Sequence, residues 1–273
     1  MRTLVACLLG ALVFVGCGGD NKGNPGGPSG TLVATGLTIS PATDLIKING
    51  SETFALNAAM SDGSSRPVSG TWASDAATVA SVDASGRVTG RAAGEATISG
   101  DAQGLRATRR LRVVPDYQGD WRGGWAITGC AADGDWARVD ICQALPTGAV
   151  SAFRLTVTQT RDTVTGNVDF DEFPGPIQGT IRASGELELG GAFSVSDPEL
   201  TLDATVSDWQ SVTTDNQRMS GRFVLSLRTN GLQGTVRIGG DLRNVAKSAA
   251  GAAAASAHTQ RLRRALASKL TAK

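Results

Sequence analysis

Between Thr71 and Gly100 apolar and small polar residues alternate at period two, and Asp83 to Gly86 interrupts the alternation with turn-forming residues, so the stretch reads as strand, turn, strand, turn, strand. The same pattern extends to both sides. From Thr31 to Val114 it predicts short strands over Leu37–Ser40, Leu45–Lys47, Glu52–Met60, Gly70–Ala73, Val79–Val82, Arg87–Arg91, Gly94–Gly100 and Leu105–Val114, with turns at Pro41, Asn49-Gly50 and Ser61-Asp62-Gly63. Strands this short and regularly spaced predict a β-sandwich. Pro115-Asp116 closes this region, and a second pattern follows from Tyr117 to Asn244. Its strands are Asp120–Thr128, Ala152–Thr160, Thr163–Phe170, Ile177–Arg182, Glu186–Ser194, Leu200–Trp209, Arg218–Arg228 and Leu232–Leu242. Tight turns at Arg161-Asp162, Ala183-Ser184-Gly185, Asp215-Asn216 and Asn230-Gly231 join several of them. Eight sequential strands with short connections form an up-and-down meander, and closure into a barrel removes its exposed edges. The expected fold is all-β: a β-sandwich (31–115), then an eight-stranded up-and-down barrel or curved antiparallel sheet (117–244), with a short helix in the C-terminal tail (245–273).

In the sandwich Trp72, Phe54, Leu56, Val79, Val82, Val88 and Ile98 are the candidate core. Asp62, Asp75 and Asp83 each border a turn, so capping of local backbone is favoured over cation binding. In the barrel the longest loop, Gly129 to Val150, carries Trp136 between Cys130 and Cys142. It can serve as a recognition element at the barrel mouth or fold down as a lid. Trp121 and Trp125 on the first strand are further ligand-binding candidates. An eight-stranded barrel has room for its own side chains or for one small ligand, and the sequence leaves both open. Asp169-Phe170-Asp171-Glu172-Phe173 reads as a solvated acidic turn in preference to a calcium loop.

The chain ends differ from its body. Met1-Arg2, the apolar run Leu4–Val15 and the small residues before Cys17 form an export signal too short to span a bilayer comfortably. They resemble the lipobox of bacterial lipoproteins, with Phe14 where that pattern usually has Leu. The resemblance implies cleavage after Gly16 (signal peptide 1–16) and lipid on Cys17, a palmitate-bearing anchor that makes the membrane a partner. Gly18 after the cysteine implies the outer membrane in a Gram-negative envelope. The Gly-rich segment 17–30 is then a tether whose ends lie about 20 Å apart. With Cys7 removed and Cys17 acylated, Cys130 and Cys142 remain to pair as a disulfide; without a nearby His they make a poor zinc site. Net charge is +1, but the six basic residues after Arg243 meet no acid there, which leaves −5 over residues 1–243. Such a body is a poor nucleic-acid ligand. Leu262, Leu266 and Leu270 recur beside Arg261, Arg263, Arg264 and Lys269, so the tail predicts a basic, weakly amphipathic helix, solvated or resting on anionic lipid.

The succession Ile39-Ser40-Pro41, Gly50-Ser51, Asp62-Gly63-Ser64, Thr71-Trp72-Ala73-Ser74, Val79-Ala80-Ser81-Val82, Gly86-Arg87-Val88-Thr89-Gly90 and Gly94-Glu95-Ala96-Thr97-Ile98 resembles the bacterial Ig-like group 2 family over about residues 32–114. That family implies a spacer or adhesive module of bacterial surface proteins and brings no catalytic residues. Gly119-Asp120-Trp121 is similar to the opening of lipocalins, which implies a Trp plugging the barrel base against an Arg of the last strand, here Arg237 or Arg243.

For chemistry the chain offers little. One His lies in the tail, and there is neither a Gly-rich phosphate loop nor a nucleophile elbow. Carboxylate pairs drawn from Asp169, Asp171, Glu172, Glu186 and Glu188 are the remaining catalytic candidates. The expectation is a non-enzymatic, lipid-anchored surface protein that needs no cofactor and no metal. Its barrel binds a carbohydrate, a small apolar ligand or another surface protein, or the whole is structural.

Overall fold

The computed structural model describes residues 31–170, 173–196, 201–213 and 215–248. The signal segment, Cys17, the tether, Asp171, Glu172 and the tail from residue 249 lie outside the described residues. Two β domains follow each other along the chain.

The first is a sandwich of three small sheets. One holds β1 (Ala34–Ser40), β4 (Ala55–Met60) and β5 (Ser65–Val68). The second holds β2 (Leu45–Lys47), β10 (Leu105–Val114), β9 (Gly94–Ala102) and β6 (Thr71–Ser74), in that order. The third holds β3 (Ser51–Thr53), β8 (Arg87–Gly90) and β7 (Ala80–Val82). Ile39, Phe54, Leu56, Val88, Ile98, Leu111 and Val113 are buried between them, because alternate residues of each strand face inward. The sequence placed one strand over Glu52–Met60, whereas the structure divides it at Phe54. There the chain turns inward, and the Phe54 N–H donates to Gly86 O at 2.8 Å. Strand β5 was not legible because Pro67 removes a backbone donor. An edge strand tolerates that loss, and β5 pairs on one side only. Trp72 is half-buried, lying over Gly86 at the rim of the core. A Cβ at Gly86 would stand 2.3 Å from Phe54 O and 2.9 Å from the Trp72 ring, and φ there is +83°, so only glycine fits.

The second domain is a closed antiparallel barrel. Its eight strands are β11 (Gly119–Ala132), β12 (Val150–Thr160), β13 (Thr163–Asp169), β14 (Pro174–Ile181), β15 (Leu187–Ser196), β16 (Thr201–Val212), β17 (Arg218–Thr229) and β18 (Leu232–Lys247). Strand β18 runs past the expected domain limit at 244 to pair Ala246 with Arg122 and Arg218. A helical tail beginning at 245 is therefore corrected: its first three residues are strand. Apolar residues point inward, while Thr156, Thr158, Thr165, Gln178 and Thr180 face out. This polarity is the reverse of a membrane-spanning barrel. Five inward-facing glycines make the corners. A Cβ at Gly123, Gly166, Gly179, Gly191 or Gly221 would come within 1.8–2.7 Å of a carbonyl oxygen on the neighbouring strand. Neighbouring strands can bend toward each other there only because no side chain intervenes.

The barrel interior is filled by an aromatic layer. Trp209 stacks on Phe223 at 5.3 Å, Phe223 meets Phe170 at 4.7 Å and Trp125 at 5.5 Å, and Phe153 closes the ring against Trp209 at 5.8 Å. All five side chains are at least 96% buried, so the alternative left open by strand count is decided for the barrel's own side chains.

Candidate functional site

The two ends of the barrel carry different chemistry. At the base the linker residue Tyr117 is fully buried, and its hydroxyl donates toward Gly185 O (2.9 Å) and Ser211 O (3.3 Å). Burial pushes the Tyr117 hydroxyl pKa above its ordinary value. The Trp121 Nε1 donates to Tyr117 O at 2.6 Å, and Lys247 Nζ sits 5.1 Å above the Trp121 ring, a cation–π contact. The cation under that Trp is thus Lys247, which corrects the assignment to Arg237 or Arg243. Arg237 pairs in register with Ala131 and Ser226 near the other end, and Arg243 reaches Asp241 at 3.3 Å. The strand's full length, unread in the sequence, is what brings Lys247 to the base.

At the opposite end a lid closes the barrel. Strand β11 extends through Cys130, a helical turn α1 (Gly134–Arg138) follows, and a short 3-10 helix (Ile141–Ala144) carries Cys142 back to Cys130. The Cys130–Cys142 disulfide is formed, with Cα atoms 5.6 Å apart. Asp133 and Asp135 fasten the lid to the start of β18: Asp133 Oδ1 accepts from Thr235 N at 2.7 Å and Asp135 Oδ2 from Gln233 N at 3.0 Å. Trp136, Ile141 and Leu145 point down and are 1–5% exposed. Of the two roles open to this loop, the lid is the one observed.

Trp136, Trp121 and Trp125, the three tryptophans singled out as ligand-binding candidates, are therefore buried at 1%, 0% and 4% exposure, and none offers a ring to solvent. That corrects the recognition role: lid, base plug and aromatic layer use them for packing. The indole N–H groups of Trp125 and Trp136 meet no acceptor among the described residues. What the lid presents outward is Ala137, Arg138, Asp140, Gln143 and Thr147.

Of the candidate carboxylates, Asp171 and Glu172 lie outside the described residues. Glu188 is bound to Arg182 at 2.5 Å, Asp169 lies at the lid end, and no three His, Cys, Asp or Glu gather in metal-binding fashion among the described residues. Asp62 and Asp83 hold turns as expected, whereas Asp75, expected to cap local backbone, instead ties the end of β6 to β9, 22 residues on. Asp62 Oδ1 accepts from Ser64 N (2.9 Å), Asp75 Oδ1 from Thr97 N (2.6 Å), and Asp83 Oδ1 from Ser85 N (2.9 Å) and Arg87 N (3.0 Å). These bonds keep all three carboxyls below their ordinary pKa: the Ser64 hydroxyl leads for Asp62, the Thr97 N–H for Asp75 and the Ser85 hydroxyl for Asp83. One feature had no sequence signal. An open groove of about 500 Å³ on the outer wall, lined among others by Glu186, Gln210, Arg222, Asp241 and Arg243, exists because register shifts splay β16, β17 and β18. Within it Arg222 donates to Gln210 Oε1 at 2.7 Å, and Arg243 pairs with Asp241.

Comparisons with known proteins bear on the first domain. Residues 33–104 match the family model of the bacterial Ig-like domain (group 2). No curated protein matches the chain. Among solved structures it is similar to domains 4–9 of the surface layer protein SbsC, at 12% identity and a TM-score of 0.29, covering 77% of this chain and 31% of that one. It is also similar to domains 5–6 of the S-layer protein SbsC, at 14% identity and a TM-score of 0.27, covering 77% of this chain and 98% of that one. The chain thus spans about a third of the first of these. The sandwich that precedes the barrel is a bacterial Ig-like domain of group 2, the module its sequence motifs resemble.

Proposed function

We propose that this is a lipid-anchored protein of the bacterial cell surface, in which the Ig-like domain is a spacer and the barrel is the head it presents. The observation that carries the reading is the arrangement itself: a bacterial Ig-like domain stands between an export signal with Cys17 and a barrel whose lid end faces away from it. Because aromatic side chains occupy the barrel, contact with a carbohydrate or another surface protein falls to its outside, through the lid's polar surface or the outer-wall groove, and a small apolar ligand in the interior is disfavoured. No enzymatic activity is proposed.

Two measurements test this. Growth with a palmitate analogue should label wild type and leave Cys17→Ala unlabelled; label on the variant overturns the anchor. Soluble Cys17→Ser protein should then be screened against cell-wall glycans and surface proteins, with Arg138→Ala and Gln143→Ala on the lid and Arg222→Ala in the groove. Loss of binding with one of these locates the surface. Binding that survives all three removes both surfaces from the proposal, and an empty screen leaves a purely structural head.

A further inference from the structure

The contacts between the Ig-like domain and the barrel base form a closed set. Val114 and Leu45, from the Ig-like side, pack against the barrel's apolar cluster. Gln159 of β12 grips the linker from within the barrel: its Nε2 donates to Pro115 O (3.1 Å) and its Oε1 accepts from Tyr117 N (2.8 Å). Asn216 spans the joint, with Oδ1 accepting from Asp116 N at 3.1 Å and Nδ2 reaching Ile48 O at 3.5 Å. Around this centre three carboxylates make four ion pairs. Asp116 in the linker lies between Lys47 of the Ig-like domain (2.6 Å) and Lys247 of the barrel (3.6 Å). Asp44 of the Ig-like domain takes a two-pronged hydrogen bond from Arg161 of the barrel (2.8 and 2.9 Å). Arg112 of β10 pairs with Asp162 of the barrel at 2.8 Å and donates to Ile181 O. Gly185 completes the fit, since a Cβ there would lie 2.5 Å from the Ala93 Cβ.

Linkers between independent domains are ordinarily exposed and crossed by few contacts. Here the four residues Pro115 to Gln118 are gripped from both sides, and the three carboxylates bridging the joint come from the Ig-like domain, the linker and the barrel in turn. We propose that this ring is an ionic clasp that locks the two domains into one rigid body and opens the joint into a hinge when its carboxylates are neutralised by acid or screened by salt. The lock fixes the direction in which the lid end points. It holds whether or not Cys17 carries a lipid, so it is independent of the anchor reading.

The charged groups facing the clasp define its response. Asp116 faces Lys47 and Lys247, Asp44 faces Arg161 with Arg109 nearby, and Asp162 faces Arg112 and lies close to Arg161. For Asp116 burial works to raise the carboxyl, and the hydrogen bond from Lys47 with the charges of both lysines outweighs it, leaving it below its ordinary value. The Arg161 hydrogen bond lowers Asp44 likewise. Carboxylates lowered on joining stabilise the joint above their ordinary value of 3.8 and lose that contribution as pH falls through the lowered one. The clasp is therefore closed at neutral pH and opens in strong acid.

The test is a pulsed electron-spin distance measurement on full-length Cys17→Ser protein carrying labels at Thr108→Cys and Thr158→Cys, two exposed outward positions, one per domain. One narrow distance is expected at neutral pH, and a distribution at least twice as broad in the triple variant Asp44→Asn, Asp116→Asn, Asp162→Asn. A broad distribution in the labelled parent overturns the rigid joint, and a narrow one in a folded triple variant overturns the ionic clasp. If circular dichroism shows the triple variant unfolded, the labelled parent in 1 M NaCl decides, because the screening length there is about 3 Å. Broadening supports the clasp, and an unchanged distance overturns it.

Discussion

The two domains solve the same problem, closing β-sheets around a core, by different means. The Ig-like domain closes locally. Asp62 and Asp83 cap turns two to four residues away, Gly86 takes a positive φ within a hairpin, and its core is aliphatic apart from Phe54 and the half-buried Trp72. The barrel closes at a distance. Its glycines mark places where one strand bends onto the backbone of another, and its centre is an interlocked aromatic layer drawn from five strand or strand-end positions. Local closure leaves a readable motif at each turn. Distant closure leaves only a glycine or an aromatic whose partner lies elsewhere in the chain.

That contrast can be attacked directly, because calorimetry can assign a thermal transition to each domain. Trp209→Ala removes the stacking partner of Phe223 and should cost about 3–5 kcal/mol. The loss should fall on the barrel transition; an equal loss in the Ig-like transition breaks the division. Replacing both Cys130 and Cys142 by Ser frees the lid, and for a separation of 12 residues the chain-entropy model gives about 3 kcal/mol, again in the barrel. Limited proteolysis should then cut first between Asp133 and Leu145. Gly179→Ala places a methyl 1.8 Å from Glu188 O, a backbone atom that cannot rotate away, and should cost about 1–3 kcal/mol. Gly63→Ala, where φ is +81° but nothing lies within 4 Å, should cost about 1–2 kcal/mol in the Ig-like transition only. If Gly63→Ala proves the more damaging of the two, the distinction between conformational and contact glycines fails. The smallest effect is electrostatic. Asp62, Asp75 and Asp83 have lowered pKa values when folded, so their contribution is complete above the ordinary carboxylate value of 3.8 and disappears as pH falls through the lowered values. The Ig-like melting temperature should drop in that acid range, and the drop should shrink in Asp83→Asn.

Much of the strand pattern was readable because period-two alternation survives in both domains. The eight barrel strands fall within a few residues of their expected places, and the sandwich was legible down to its family. Each miss has its own cause. Strand β5 was hidden by Pro67, the break at Phe54 by an unbroken apolar alternation, and the end of β18 by an alanine- and charge-containing segment that reads as tail. For Trp136 the sequence left a recognition role and a lid both open, and the choice shows only once the loop is seen folded over an apolar barrel mouth.

By itself the sequence determined the β character, the two-domain order, the turn aspartates Asp62 and Asp83 and the single cysteine pair of the body, since each rests on residues close together in the chain or on simple elimination. Only the tertiary structure decided that the barrel is filled by its own aromatic rings, that Lys247 covers Trp121, and that Asp44, Asp116 and Asp162 meet basic partners around the joint. Those partners lie 50 to 131 residues apart in the chain. Complementarity over such separations depends on where two strands end in space, and no local pattern records that.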